Sequence, residues 1–172
     1  MIFETAYEKH LDEIMNIYDC AREYMRANGN HIQWRDGYPS KEIILSDINK
    51  KQCCIYKRDG KIAAVFSLDY NTEPRFSNLS EGSWLNDEAY VVVKRIAVAD
   101  DMHKKGIAAE CFSHALKHAA GKNVFNIRLM TYKDNIAMLK AMEKFGFTYC
   151  GTIDMGDGYP RSAYQYNRSQ NV

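Results

Sequence analysis

The segment that most restricts the fold is the run from Tyr90 to Val98, Tyr-Val-Val-Val-Lys-Arg-Ile-Ala-Val. β-Branched side chains lose χ1 freedom in a helix but pack well on a pleated surface, so this is the most β-prone stretch of the chain. It predicts a central strand. Directly after it come Ala99-Asp-Asp-Met-His103-Lys104-Lys105-Gly106-Ile107-Ala108-Ala109-Glu110, a short turn leading into a helix. A strand that hands over to a helix through a glycine-containing loop belongs to an α/β chain.

The remaining sequence fills in around this unit. Residues Ile2 to Ala6 suit a short strand, and Leu11, Ile14, Ile17, Tyr18, Ala21 and Met25 then recur at helical spacing, with Gly29 as a stop. A turn-rich connector, His31 to Ser40, ends in a candidate cap for a helix through Ile43, Ile44 and Ile48. Cys53 to Lys57 and Lys61 to Leu68 flank Arg58-Asp59-Gly60, a strong hairpin signal. Asn71 to Asn86 reads as a loop before the central strand. After it the spacing predicts a helix from Lys105 to Ala120, a strand from Val124 to Tyr132 and a helix from Asn135 to Phe145 ending at Gly146. Strands Phe147 to Ile153 and Arg161 to Tyr166, around the turn Met155-Gly156-Asp157-Gly158, close the chain. No repeat or linker interrupts this order, which predicts one α/β domain over residues 1–172 with a mixed sheet.

Composition narrows the function by exclusion. With 23 basic and 22 acidic side chains the net charge is +1, which argues against a nucleic-acid surface as the main business of the protein. No stretch approaches ~18 apolar residues, and the N-terminus lacks the apolar run of a signal peptide, so no membrane partner and a cytoplasmic location are expected. The five cysteines have no metal-ligand spacing with nearby histidines and read as reduced thiols packed as small hydrophobes; no metal is expected.

The loop after the central strand carries the chemistry. A helix start offers unpaired backbone N–H groups and the positive end of the helix dipole, which suit a pyrophosphate. Gly106 lets the backbone come close to phosphate oxygens, Ala108 is small enough not to block it, and Lys104 and Lys105 add positive charge. The same features also fit an ordinary helix N-terminus.

His103-Lys-Lys-Gly106-Ile-Ala108 resembles the acetyl-CoA signature of the GNAT N-acetyltransferase superfamily, Arg/Gln-x-x-Gly-x-Gly/Ala. A second family pattern, Asn-x-x-Ala-x-x-x-Tyr-x-x-x-Gly-Phe, is approached by Asn135-Ile-Ala-Met138-Leu-Lys-Ala-Met142-Glu-Lys-Phe-Gly146-Phe147. Arg95-Ile-Ala-Val and Phe147-Thr-Tyr-Cys-Gly further resemble a bacterial branch of the superfamily. The resemblance implies a GNAT fold: a mixed, mostly antiparallel central sheet flanked by helices, with splayed central strands holding the CoA arm. It implies acetyl-CoA as cosubstrate. Ile96 and Val98 would be backbone partners of the arm, and His103, Lys104, Lys105, Gly106, Ile107, Ala108 and Ala109 would line the pyrophosphate. Asn135 would reach the arm from the other side, or cap the last helix, or both.

Two departures bear on catalysis. His103 stands where the pattern prefers Arg or Gln, and Met142 holds the slot where many members carry a tyrosine acid. Met142 also reads as a core-facing helix residue. Tyr132 is a candidate substitute acid, or else a partly exposed aromatic at a strand end. Asp87 and Glu88 are candidate bases by position, or a solvated loop pair. No catalytic residue is assigned. Trp34, Tyr38 and Trp84, with Asp36, Asp87 and Glu88, suit an acceptor side for a cationic amine, although the tryptophans fit equally as loop anchors. The expected function is acetyl transfer to a primary amine of a small molecule or amino acid, less so a peptide, by direct attack on the thioester. The alternative is a catalytically silent acyl-CoA sensor. A homodimer is left open.

Overall fold

The computed structural model describes residues 2–70, 74–76 and 79–168; parts of the expected Asn71 to Asn86 loop lie outside these. The fold is mixed α/β, with an eight-stranded, mostly antiparallel sheet flanked by helices. The chain divides into two compact units, Met1–Leu68 with Arg95–Cys111, and Asp69–Lys94 with Phe112–Val172.

The first unit begins with strand β1 (Ile2–Thr5) and helices α1 (Leu11–Ala27) and α2 (Lys41–Asn49). It continues with β2 (Cys53–Arg58) and nearly all of β3 (Lys61–Asp69). β1 pairs with β2, and β2 with β3, both antiparallel. The turn between β2 and β3 places Asp59 and Gly60 at φ of 52° and 80°. Two successive left-handed residues match the right-handed strand twist, and this is why Asp-Gly foretells a hairpin. Ser40 caps α2, its side chain accepting from the Ile43 N–H at 3.4 Å. Leu11, Ile14 and Tyr18 of α1 and Ile44 and Ile48 of α2 pack on Ile55 and Val65. Each such aliphatic side chain contributes about 1.5–3 kcal/mol by leaving water.

The second unit holds β4 (Glu81–Gly82), β6 (Asn126–Thr131), α4 (Ile136–Phe145), β7 (Thr148–Ile153) and β8 (Arg161–Asn167). Its strand order is β5-β6-β8-β7-β4. Strand β5 (Tyr90–Val98) is parallel to β6, and their register joins Tyr90–Val92 to Asn126–Arg128 at the start of both strands. The other pairs in this unit are antiparallel. β5 and α3 (Ile107–Ala120) each run through both units.

Candidate functional site

In the first unit, the second half of β5 leads through a 3-10 turn, Asp100–Met102, to the start of α3. Gly106 has φ of 79° and Lys104 has φ of 62°. Both conformations are left-handed, and Gly106 adopts its own without steric cost. Among the described residues, the backbone N–H groups of Lys104, Lys105, Gly106, Ile107 and Ala108 donate no hydrogen bond; Ala109 and Glu110 are the first to do so, to the Gly106 carbonyl at 3.0 and 3.2 Å. A Cβ built on Gly106 would meet nothing within 4 Å, so this face of the loop is open. Lys104, Lys105 and Gly106 are exposed. Five free donors, two lysines and a helix start fit a pyrophosphate.

His103 precedes these lysines and is half-buried. Its ring packs edge-on against Tyr24, with centroids 4.3 Å apart, and its Nε2 lies 3.1 Å from the Val98 carbonyl oxygen. The imidazole thus ties the end of β5 to the loop. Ile96 and Val98 are half-buried on the strand. Arg95, just before them, has φ of 53°, an unusual conformation inside a strand for a residue with a Cβ.

The other sequence-predicted residues belong to the second unit. Asn135 caps α4: its Oδ1 accepts from the Met138 N–H at 3.2 Å, and its Nδ2 donates to Thr131 Oγ1 at 3.3 Å. Met142 is fully buried, in keeping with the core-facing reading. Tyr132, at the end of β6, lies under the Arg161 guanidinium at 4.3 Å, and Arg161 is itself held by both oxygens of Asp157 at 2.6 and 2.7 Å. Asp87 and Glu88 are exposed, but Glu88 is tethered by Asn126 Nδ2 at 3.3 Å.

Both tryptophans act as anchors. Trp34 packs on the first unit's core, edge-on to Tyr18 at 5.4 Å. Trp84 stacks on Phe76 and lies 4.2 Å from the Arg128 guanidinium, which meets Tyr90 at 3.9 Å on another side. Arg128 is buried and donates to the carbonyls of Phe76 and Asn86 at 3.2 and 2.7 Å, fixing the segment that leads into β5. Sequence reasoning missed Arg128. An arginine flanked by Ile127 and by Leu129 and Met130 inside a strand was the available signal.

Strand, loop and helix start thus have the chemistry of a phosphate-binding α/β protein. The model of the Acetyltransferase (GNAT) family matches residues 11–147, and the chain belongs to that family. Its fold is similar to that of a GNAT-family acetyltransferase from Streptococcus agalactiae, with 28% identity, a TM-score of 0.86, and 97% of this chain and 95% of that one covered. It is also similar to the PaiA N-acetyltransferase of Thermoplasma acidophilum, solved in complex with coenzyme A (14% identity, TM-score 0.73, 96% and 98% covered). A third similar structure is YncA of Salmonella typhimurium with acetyl-CoA (14% identity, TM-score 0.67, 97% and 93% covered). Comparison with curated proteins gives no match. No helix among the described residues is long and apolar enough to cross a membrane.

Proposed function

We propose that the chain, as one domain over residues 1–172, transfers an acetyl group from acetyl-CoA to a primary amine of a small molecule or amino acid. The observation that carries this reading is the run of five undonated N–H groups from Lys104 to Ala108, beside an open Gly106. Backbone donors fixed before the ligand arrives hold a pyrophosphate without reorganisation. The backbone of Ile96 and Val98 is the candidate partner of the arm, and Asn135, already oriented as a cap, is a further candidate contact.

Acetyl-CoA supplies an activated thioester. The amine nitrogen forms a bond to the acetyl carbon, the carbon–sulfur bond breaks, and CoA leaves as a thiolate that takes up a proton. A free thiol has a pKa of about 8.5, so a thiolate can depart at neutral pH without a strong acid. The attacking nitrogen must first be neutral and then shed a proton. Glu88, held by Asn126, and Asp87 are the two candidate bases, both exposed. Tyr132 remains the candidate acid. Met142, buried, offers none, so orientation of the two reactants has to supply much of the rate.

The test is thiol release from acetyl-CoA in the presence of a broad panel of amines, amino acids and peptides. Release that depends on an amine, and rises as the amine or its base deprotonates, supports the transferase. Tight acetyl-CoA binding with no release for any acceptor would make the protein a sensor.

A further inference from the structure

Arg95 is the anomaly of β5. A left-handed residue inside a strand acts as a bulge and re-aims the N–H and carbonyl groups that follow. Such a conformation persists in a residue with a Cβ only where its surroundings over-determine it. Here they do, and the grip has two points.

The first point is the side chain. Arg95 Nε donates to Asp47 Oδ2 at 2.9 Å, and a second guanidinium nitrogen donates to the same oxygen. Ser67 Oγ adds a third donor to that oxygen at 2.6 Å. The remaining guanidinium nitrogen donates to the Tyr38 hydroxyl at 3.1 Å. The arginine and aspartate side chains are only 9% and 7% exposed. The second point is the main chain, where the Tyr18 hydroxyl donates to the Arg95 carbonyl oxygen at 2.7 Å. Burial raises the Tyr18 phenol well above its ordinary range, so it stays a protonated donor. The partners come from α1, α2, the connector before α2, and β3.

A buried ion pair is weak evidence of stability, since apolar residues of similar volume often serve as well or better; its best-attested use is to specify one conformation. This pair grips the one residue of β5 whose conformation is left-handed, and Ile96 and Val98 lie one and three residues beyond it. We infer that Tyr18 and Asp47 are positioning residues: they lock Arg95 in its bulged conformation and so aim the backbone of β5 at the thioester carbonyl. The inference rests on the acetyl-transfer reading and deepens it.

The test uses acetyl-CoA carrying a 13C-labelled carbonyl and reads its infrared stretch on the intact protein, alongside CoA affinity by calorimetry. An N–H donor on the carbonyl lowers the stretch below its free value. Tyr18→Phe keeps the ring and its packing but removes the hydroxyl. The expected result is a band moved back toward the free position in protein that still binds CoA, because the Lys104–Ala108 donors are untouched, with any loss of affinity confined to the share that the Ile96 and Val98 backbone supplies. Asp47→Asn retains the shape and should move the band in the same direction. A purely structural role would lower the unfolding temperature and leave the band in place. Both variants binding with the wild-type band would overturn the positioning role alone. Wild-type protein that binds no CoA, or leaves the band at its free position, would overturn the acetyl-transfer reading and the positioning role with it.

Discussion

The site depends on a few positions where one side chain, or its lack, decides the outcome. At Gly106 the left-handed backbone and the open space beyond it suit close approach by an anion. Gly106→Val adds strain of about 1–2 kcal/mol, too little to unfold a typical domain, and fills the face where phosphate oxygens would sit. It should remain folded and lose CoA binding. Calorimetry on folded variant protein checks this, and unchanged affinity would move the cradle elsewhere. Asn135 has a demonstrated cap and a proposed ligand role, and substitution separates the two. Serine caps a helix about as well as asparagine, whereas alanine costs about 1 kcal/mol. Asn135→Ser should therefore keep the unfolding free energy while weakening CoA binding; equal affinity would leave Asn135 as a cap alone.

At the scale of elements, strand β4 hangs on two glycines. A Cβ on Gly82 would overlap the Cys150 carbonyl oxygen, and one on Gly151 would overlap that of Glu81. Gly82→Ala should break the β4–β7 pairing, seen as lost hydrogen-exchange protection at the Ser83 amide, which now donates to the Cys150 carbonyl at 3.0 Å. Retained protection there would count against it. This strand also marks what the sequence could not disclose. The sequence of β5 predicts its observed ends, Tyr90 and Val98, because its branched residues declare themselves locally. The sequence of β4 reads as loop, since two residues have no periodicity and their pairing depends on a glycine 69 positions along the chain. The Gly106 loop was legible for the same local reason as β5. The Asp47–Arg95 pair was not, because nothing near Arg95 names a partner 48 residues away.

For the molecule as a whole, histidines set the acid response. Loss of hydration lowers the pKa of buried His10, half-buried His114 and, although its side chain is largely exposed, His118, with Lys57, His118 and Lys122 respectively the next contributors. Each then binds protons more readily unfolded than folded. Stability is fully present above the ordinary histidine value of 6.5 and is lost as pH falls from there through the lower folded-state values. Urea unfolding at pH 7.5 and 5.0 should show a lower midpoint in acid, and His118→Gln should shrink the difference; a midpoint independent of pH would refute the assignment. The division of the chain has a further consequence, for synthesis. The first unit closes only when Arg95–Cys111 joins Met1–Leu68, and the second cannot close until its late strands exist. The ribosome thus delivers the opening 68 residues before the segment that completes their unit, so α1 and α2 can already pack on β2 and β3 while Arg95–Cys111 is still to come. Non-local closure of this kind slows folding, and refolding after dilution from denaturant should be slower than for a chain whose units are each continuous.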